Sequence, residues 1–284
     1  GPIVKYSTVD YEINNRKETF KDFSNGVWRF IIGLSKKVLI SNTMAVIADA
    51  AFSNIYSGIS VSFAWLGAIA YTLQIFYDFS GYSDMAIGLG LMFGFHFEEN
   101  FNYPYISQNV SEFWRRWHIS LGKWFKEYVY FPLGGSRVKS NDRKIINLFV
   151  VWILTGIWHG SSWTFVLWGL MYFLLITVEK FSGFDKRPCK KIWINHLYTL
   201  LAVIIGWVIF RSNTISEAGM YLKSMIGIGA NGLVDNVTIM YIKENIIFFI
   251  TGILFSMPVI DYITKKIKRK KIYAILEFSS SIIV

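Results

Sequence analysis

Apolar residues occur along this chain in long blocks with almost no charged residue, which are separated by short segments rich in lysine and arginine. The blocks are residues 61–77, 145–157, 161–178, 197–210 and 246–262. Uncharged apolar stretches are typical of helices in lipid, because a helix satisfies its own backbone hydrogen bonds where no water is present. The pattern predicts an all-α, polytopic transmembrane helical bundle.

Several of these blocks are short for a complete crossing. A run of about 13–16 residues covers only ~20–24 Å of a hydrocarbon core about 30 Å thick, so we expect short, tilted or re-entrant helices. The first block continues into a glycine-rich run, residues 78–95, which is predicted to be buried in protein. Residues 28–52 contain Arg29, Lys36 and Lys37 at helical spacing, which predicts a helix at the membrane interface or the edge of the bundle.

Residues 111–131 carry an apolar stripe with steps of three and four, which predicts one interfacial helix. The stripe consists of Trp114, Trp117, Leu121, Trp124, Tyr128 and Phe131. His118 follows Arg115 on a neighbouring face of that helix. Its imidazole is therefore expected to project from the helix flank, beside cationic and aromatic side chains.

Composition supports a membrane protein and argues against a protein that binds nucleic acid. Hydrophobic residues make up 53% of the 284 residues and aromatic residues 18%, more than soluble domains usually contain. The formal charge of +10 lies at the borders of the apolar blocks, which indicates membrane topology instead of a nucleic-acid surface. Residues 1–284 are predicted to be a single membrane domain cut at both ends. The one cysteine, Cys189, has no histidine nearby and is predicted to be inert.

The basic segments also orient the chain. Residues 137–144 contain four basic residues and one acidic, and residues 179–191 contain five and two, so both are predicted to be cytoplasmic. The chain between them turns at residues 155–162, toward the outer side or deep in the bundle. Residues 211–244 then lie outside. The predicted location is the cell membrane, which the chain crosses several times.

His159, in this turn, is the first candidate for chemistry, because a histidine at membrane depth is costly unless it has a partner or a function. A neutral imidazole accepts a hydroxyl proton near pH 7, as the general base of an acyl transfer must. His118 is the second candidate, since it can position or polarise an acyl carbonyl. From the residues alone, a structural histidine is the alternative for both. His96 and His196 are interpreted as structural.

Two carboxylates, Asp78 and Asp84, lie near membrane depth in the glycine-rich run. A charge at this depth is stable only when it is paired. We therefore predict ion pairs with Arg115, Arg116 or a histidine, which hold the fold and take no part in catalysis. No metal site is predicted.

Five segments carry a family resemblance over most of the chain. They read GPIVKY from residue 1, YDFSGYSDMA from 77, FWRRWHISL from 113, YFPLGGSR from 130 and TGIWHG from 155. Each motif is moderately specific, and their order and spacing together are strong. The chain resembles the membrane-bound O-acyltransferase family, in its bacterial branch of alginate and peptidoglycan O-acetyltransferase membrane subunits.

The resemblance implies residue roles. His159 takes the position of the family's catalytic histidine, and His118 takes a second polar position that eukaryotic relatives usually fill with asparagine. The implied acyl donor is a cytoplasmic thioester, acetyl-CoA, and no bound cofactor is expected. Trp117 and Trp158 are expected to wall the substrate site.

The resemblance and the charges also suggest contacts and partners. Arg115, Arg116 and Lys123 are candidates for binding donor phosphates, although membrane anchoring explains the same charges. The expected partners are membrane lipid, the acyl donor, a polysaccharide and an extracytoplasmic esterase-like transferase, with no nucleic acid. The alternatives are D-alanyl transfer to teichoic acid, and a non-enzymatic transporter or scaffold of an exopolysaccharide complex. Residues 132–135, PLGG, resemble the acetyltransferase branch. A transporter is expected to contain internal repeats, and the sequence shows no convincing second copy of its motifs.

Overall fold

Residues 2–186 and 188–268 are described in the computed structural model, and these parts of the chain form helices without a strand. The helices are α1 (Tyr6–Asn15), α2 (Phe20–Ser35), α3 (Asn42–Ser53), α4 (Val61–Met92), α5 (Val110–Arg116), α6 (Ile119–Phe125), α7 (Asn141–His159), α8 (Trp163–Ser182), α9 (Ile192–Arg211), α10 (Ile215–Met225), α11 (Asn236–Phe255) and α12 (Val259–Lys268). The all-α prediction is confirmed. The apolar run after residue 272, which we interpreted as cut, lies outside the described residues.

Within residues 2–186 and 188–268, four helical segments are long and apolar enough to cross a membrane. They are Phe20–Ser53, Trp163–Ser182, Ile192–Arg211 and Asn236–Phe255. Along α11, apolar side chains point outward from the bundle, namely Ile239, Ile246, Ile247, Ile250, Ile253 and Leu254. A helix with so much exposed apolar surface is suited to lipid as its solvent.

The last predicted span, residues 246–262, has different limits in the structure. α11 begins ten residues earlier, at Asn236, and ends at Phe255, where a turn separates it from α12. The prediction was wrong here because Lys243 and Glu244 were taken to end the apolar block. Both side chains are exposed and are accommodated on the surface of the helix. With 20 residues, α11 is also long enough to span a hydrocarbon core of about 30 Å.

Helix α4 is the central element, with 32 residues packed against α2 and α3. Where it crosses α2, a Cβ atom on Gly81 would lie 2.7 Å from the carbonyl oxygen of Gly33, and one on Gly33 would lie 2.5 Å from that of Gly81. Such distances admit only glycine, so the two backbones are in direct contact. The glycine-rich run is thus largely packed against protein, as predicted.

The helix predicted over residues 28–52 contains an irregularity that the spacing of its cations did not reveal. A π-helical turn, Lys36–Ser41, joins α2 to α3. The neighbouring lysines then reach two different carboxylates of α4. Lys36 bonds to Asp84 at 2.5 Å, and Lys37 bonds to Asp78.

Arg29 adds a second cation to Asp84, at 2.8 Å. The predicted ion pairs of Asp78 and Asp84 therefore exist, but Arg115 and Arg116 are not their partners. Arg116 pairs with Glu112 instead, four residues away on the same helix. Local pairing prevails because residues at this spacing lie on the same face of a helix.

The single helix predicted over residues 111–131 is wrong. α5 ends at Arg116 and α6 begins at Ile119, because His118 between them has a φ of 46°. This left-handed conformation interrupts an α-helix. The backbone N–H of Ile119 donates to the carbonyl oxygen of Asn100 at 2.9 Å, so a long-range contact stabilises the break.

The side chains of the apolar stripe differ in burial. Trp117 and Leu121 are buried, whereas Trp124, Tyr128 and Phe131 are exposed. Helical spacing alone predicted that all of these side chains share one apolar helix face. The buried part of the stripe thus extends past the break to Leu121, and the exposed part begins at Trp124.

Glu179 is buried, although the sequence placed it at the start of a cytoplasmic loop. It lies on α8 and is 1% exposed. Its carboxylate accepts hydrogen bonds from the backbone N–H groups of Val110 and Ser111, at 2.7 and 2.8 Å, and from the hydroxyl of Tyr198 at 3.1 Å. Glu179 therefore caps the first turn of α5, the helix that leads to His118.

We expect Glu179→Ala to destabilise the fold. Each buried donor left without a partner costs about 1–3 kcal/mol, and several would be left. The melting temperature of detergent-solubilised protein measures the loss. Glu18→Ala is the matched control, because Glu18 is exposed and paired with Arg16. Equal melting temperatures for the two variants would contradict the capping role.

Candidate active site

His159 is the last residue of α7, where the chain turns toward α8 at Gly160 as the sequence predicted. Gly160 has a φ of 155°, and a Cβ atom there would lie 2.6 Å from the ring of Phe165. Glycine is therefore required at this tight turn. The turn leaves the His159 imidazole half-buried at the end of its helix.

Aromatic rings surround the imidazole of His159. The ring centroids of Trp158, Phe210 and Trp168 lie 4.9, 5.0 and 5.1 Å away, and that of Phe165 lies at 6.3 Å. Within residues 2–186 and 188–268, the His159 ring makes no hydrogen bond.

His118 reaches the same place from the break between α5 and α6, and it is 4% exposed. The edge of its ring meets Phe79 of α4, with centroids 4.6 Å apart and planes perpendicular. Trp158 bridges the two histidines, since its ring lies 6.1 Å from His118 and 4.9 Å from His159. Residues 41 positions apart in sequence are thus brought together.

Both histidines line one cavity of about 480 Å³. Its walls come from α4, α5, α6, α7, α8 and α9 and are mostly aromatic: Phe79, Tyr82, Trp114, Trp117, Trp158, Trp168, Trp207 and Phe210. This volume lies within the range of small-molecule sites, and an apolar site with a few polar groups is their usual character. Trp117 and Trp158, the two expected wall residues, are among them.

The structure places the other predicted contacts away from this cavity. Arg115 is exposed, and Arg116 donates to the backbone oxygen of Asn102 as well as to Glu112. Lys123 pairs with Glu98 and lines a neighbouring cavity of about 350 Å³ together with Lys5 and Lys126. The structure brings none of the three predicted cations to the two histidines.

Two charged residues, Lys37 and Asp78, also line the cavity that the histidines share. The sequence analysis named both residues but did not predict that they line this cavity. They form an ion pair, and the π-helical turn at the end of α2 is what directs Lys37 there. Opposite charges in neighbouring helical segments were a signal that Lys37 and Asp78 could pair. Nothing in the sequence indicated that this pair lies in the same cavity as both histidines. Across the described ranges, no group of three or more His, Cys, Asp or Glu side chains is arranged to hold a metal ion.

Sequence comparisons identify the family. Residues 1–210 match the model of the membrane-bound O-acyltransferase family. A probable alginate O-acetylase, AlgI, of Pseudomonas putida is 44% identical over 229 residues, which are 81% of this chain and 47% of that protein. The peptidoglycan O-acetyltransferase of Helicobacter pylori is 38% identical, over 82% of this chain and 45% of that protein.

A teichoic acid D-alanyltransferase of Bacillus subtilis is more distant, at 32% identity over 72% of this chain and 54% of that protein. The chain spans about half the length of these curated relatives. Both histidines and the cavity between them lie inside the matched region. The chain belongs to the membrane-bound O-acyltransferase family.

Proposed function

We propose that this chain carries the reacting site of a membrane enzyme that O-acetylates a cell-surface or secreted polysaccharide. The observation that supports it best is the pair of imidazoles that open into one aromatic cavity. The relatives with the higher identities are named for O-acetylation, of alginate and of peptidoglycan. The membrane character of the family and four apolar helices suit a multi-pass protein of the cell membrane.

The proposed reaction is acyl transfer from a thioester to a hydroxyl. The hydroxyl oxygen bonds to the acyl carbon, the carbon–sulfur bond breaks, and the hydroxyl proton passes through an imidazole to the departing sulfur. A hydrogen-bond donor stabilises the negative charge that develops on the acyl oxygen. His118 and His159 are the groups we propose for these two tasks. The aromatic walls exclude water, which would otherwise hydrolyse the thioester.

The proposed acyl donor is acetyl-CoA, bound as a substrate, with no resident cofactor. Arg115, Arg116 and Lys123 remain our candidates for the donor's phosphates, at a distance from the reacting carbon. The acceptor is the polysaccharide itself or an extracytoplasmic esterase-like partner that passes the acetyl group on. Membrane lipid surrounds the bundle, and no nucleic acid takes part.

D-alanyl transfer to teichoic acid is the second candidate, because a D-alanyltransferase is among the relatives. Membranes that contain the protein carrying this chain can be given labelled acetyl-CoA or a D-alanyl thioester, together with polysaccharide from the same cells. We expect label from acetyl-CoA on the polymer. Label from the D-alanyl donor alone would favour the second candidate. If neither thioester is consumed, a transporter or scaffold is favoured.

We also expect residue 140 on the cytoplasmic side and residue 233 outside, from the positive-inside rule. Single cysteines at Ser140 and Leu233, both exposed, can be labelled with a reagent that does not cross membranes. Cys189 is exposed and is first replaced by serine. Labelling of intact cells at 233 and not at 140 is the expected result. The reverse pattern would show an inverted orientation.

A further inference from the structure

Trp168, which the sequence did not single out, carries a buried hydrogen-bond donor without an acceptor. It lies on α8, is 0% exposed and lines the cavity that the two histidines share. Within residues 2–186 and 188–268, its indole N–H makes no hydrogen bond. A buried donor without a partner costs about 1–3 kcal/mol, so native proteins retain few of them. In a cavity wall, such a donor is suited to a ligand that brings the acceptor.

Close packing of α7 and α8 places Trp168 beside His159. A Cβ atom on Gly169, the next residue of α8, would lie 2.5 Å from the carbonyl oxygen of Trp152 on α7. Only glycine fits there, so the two helix backbones are in direct contact next to Trp168. The rings of Trp168 and His159 then meet edge to face, with centroids 5.1 Å apart and planes at 82°. The unpartnered indole and the first candidate histidine therefore share one end of the cavity.

Two other tryptophans of the cavity wall, Trp114 and Trp207, also have an indole N–H without an acceptor among the described residues. Neither ring is in contact with the His159 ring, whose aromatic neighbours in these ranges include Trp168. A donor to the acyl oxygen must lie near the same carbon atom as the group that takes the hydroxyl proton. Of the three indoles, Trp168 meets this requirement at His159.

We infer that the indole N–H of Trp168 is a catalytic hydrogen-bond donor, which binds the acyl oxygen while negative charge develops on it. The inference rests on the proposed acyl transfer, with His159 as the group that takes the hydroxyl proton and His118 as the group that orients the acyl carbonyl. Stabilisation of a developing oxyanion commonly uses two donors that the fold holds in place before the reaction. Trp168 adds such a donor from α8, on the His159 side of the cavity.

The chemistry of indole suits this task. Its N–H only donates and keeps its proton at neutral pH, so the bonds that form and break are those of the proposed acyl transfer. The surrounding rings give the site a low local dielectric, in which a hydrogen bond to a charged oxygen is stronger than in water. The acyl oxygen gains most of its charge in the transition state. The bond from Trp168 therefore lowers the barrier more than it strengthens substrate binding.

The test removes the N–H of Trp168 and keeps the shape of the ring, because Trp168→Phe would also leave a void in the aromatic core. Benzothienylalanine has sulfur in the place of the indole N–H, and it can be introduced at a nonsense codon in the protein that carries this chain. We expect kcat and kcat/KM for acetyl transfer to fall equally, by about 10²–10³-fold, with KM unchanged. The melting temperature should equal or exceed that of wild type, because an unpartnered buried donor is removed.

The same replacement at Trp65 is the matched control. The indole N–H of Trp65 donates to the backbone oxygen of Met225 at 2.9 Å, and Trp65 does not line the shared cavity. Loss of this bond is expected to lower the melting temperature, while the transfer rate per folded protein stays at the wild-type value. The two positions should therefore respond in opposite ways, one in rate and the other in stability.

Two results would overturn the inference. An unchanged kcat in the Trp168 variant would show that the acyl oxygen does not depend on this donor, and acetyl transfer by the wild-type protein would leave the proposed function standing. A melting temperature that falls as far as in the Trp65 variant would show that the N–H already has a partner in the fold. Failure of the proposed function is a different result, since the wild-type protein itself would then transfer no acetyl group from acetyl-CoA.

Discussion

Replacing His159 with alanine, in the protein that carries this chain, is expected to lower acetyl transfer by about 10²–10⁴-fold, the usual contribution of a positioned general base. The side chain makes no hydrogen bond within the described parts of the chain, so its loss leaves no donor or acceptor there without its partner. Transfer of label from acetyl-CoA to polymer measures the activity. Quantification of the protein in the same membranes separates catalysis from folding.

His96→Ala and His196→Ala are the controls. His96 bonds to Glu12 at 2.8 Å on an exposed surface, and His196 bonds to the backbone oxygen of Ser107 at 3.1 Å. Neither lines the shared cavity. Any loss of activity in these variants should follow a loss of abundance, since only structural contacts are removed. If His159→Ala protein is abundant and acetylates at the wild-type rate, His159 has no catalytic role.

Helix type and the position of the turn at residue 160 followed from the sequence, because apolar blocks and the glycine after His159 are local signals. Helix limits were less predictable. The start of α11 was missed because charged residues on an exposed helix face resemble a loop in a hydropathy pattern. Glu179 was misplaced for the opposite reason, since a carboxylate near basic residues resembles a surface charge until its backbone donors are seen.

Some features of the candidate site were likewise predictable from the sequence and others were not. His118 and His159 were identified from chemistry and resemblance, and the aromatic residues Trp117 and Trp158 with them. The break at His118 was not predictable from helical spacing, because it depends on Asn100, which is 18 residues earlier in the chain. Cationic residues were the least predictable, since their long side chains reach whichever carboxylate the packing brings near.

His118→Asn is expected to retain more acetyl transfer than His118→Ala, because an amide can still donate a hydrogen bond toward the acyl carbonyl although it cannot take up a proton at neutral pH. If His118 were instead the proton acceptor, asparagine would lower transfer by about 10²–10⁴-fold, as much as alanine does. The comparison of the two variants therefore distinguishes the two roles. Single-turnover acetyl transfer from labelled acetyl-CoA measures the chemical step directly.

The backbone makes asparagine the more informative of these substitutions. Residue 118 has a φ of 46°, and asparagine adopts the left-handed conformation more readily than alanine, for which it costs roughly 1–2 kcal/mol. We therefore expect His118→Asn protein to be as abundant as wild type, and His118→Ala protein to be less abundant. An abundant His118→Asn protein that is as inactive as His118→Ala would contradict the orienting role and identify residue 118 as the proton acceptor. An abundant His118→Asn protein with near wild-type transfer would show that residue 118 orients the acyl group and that the proton goes elsewhere.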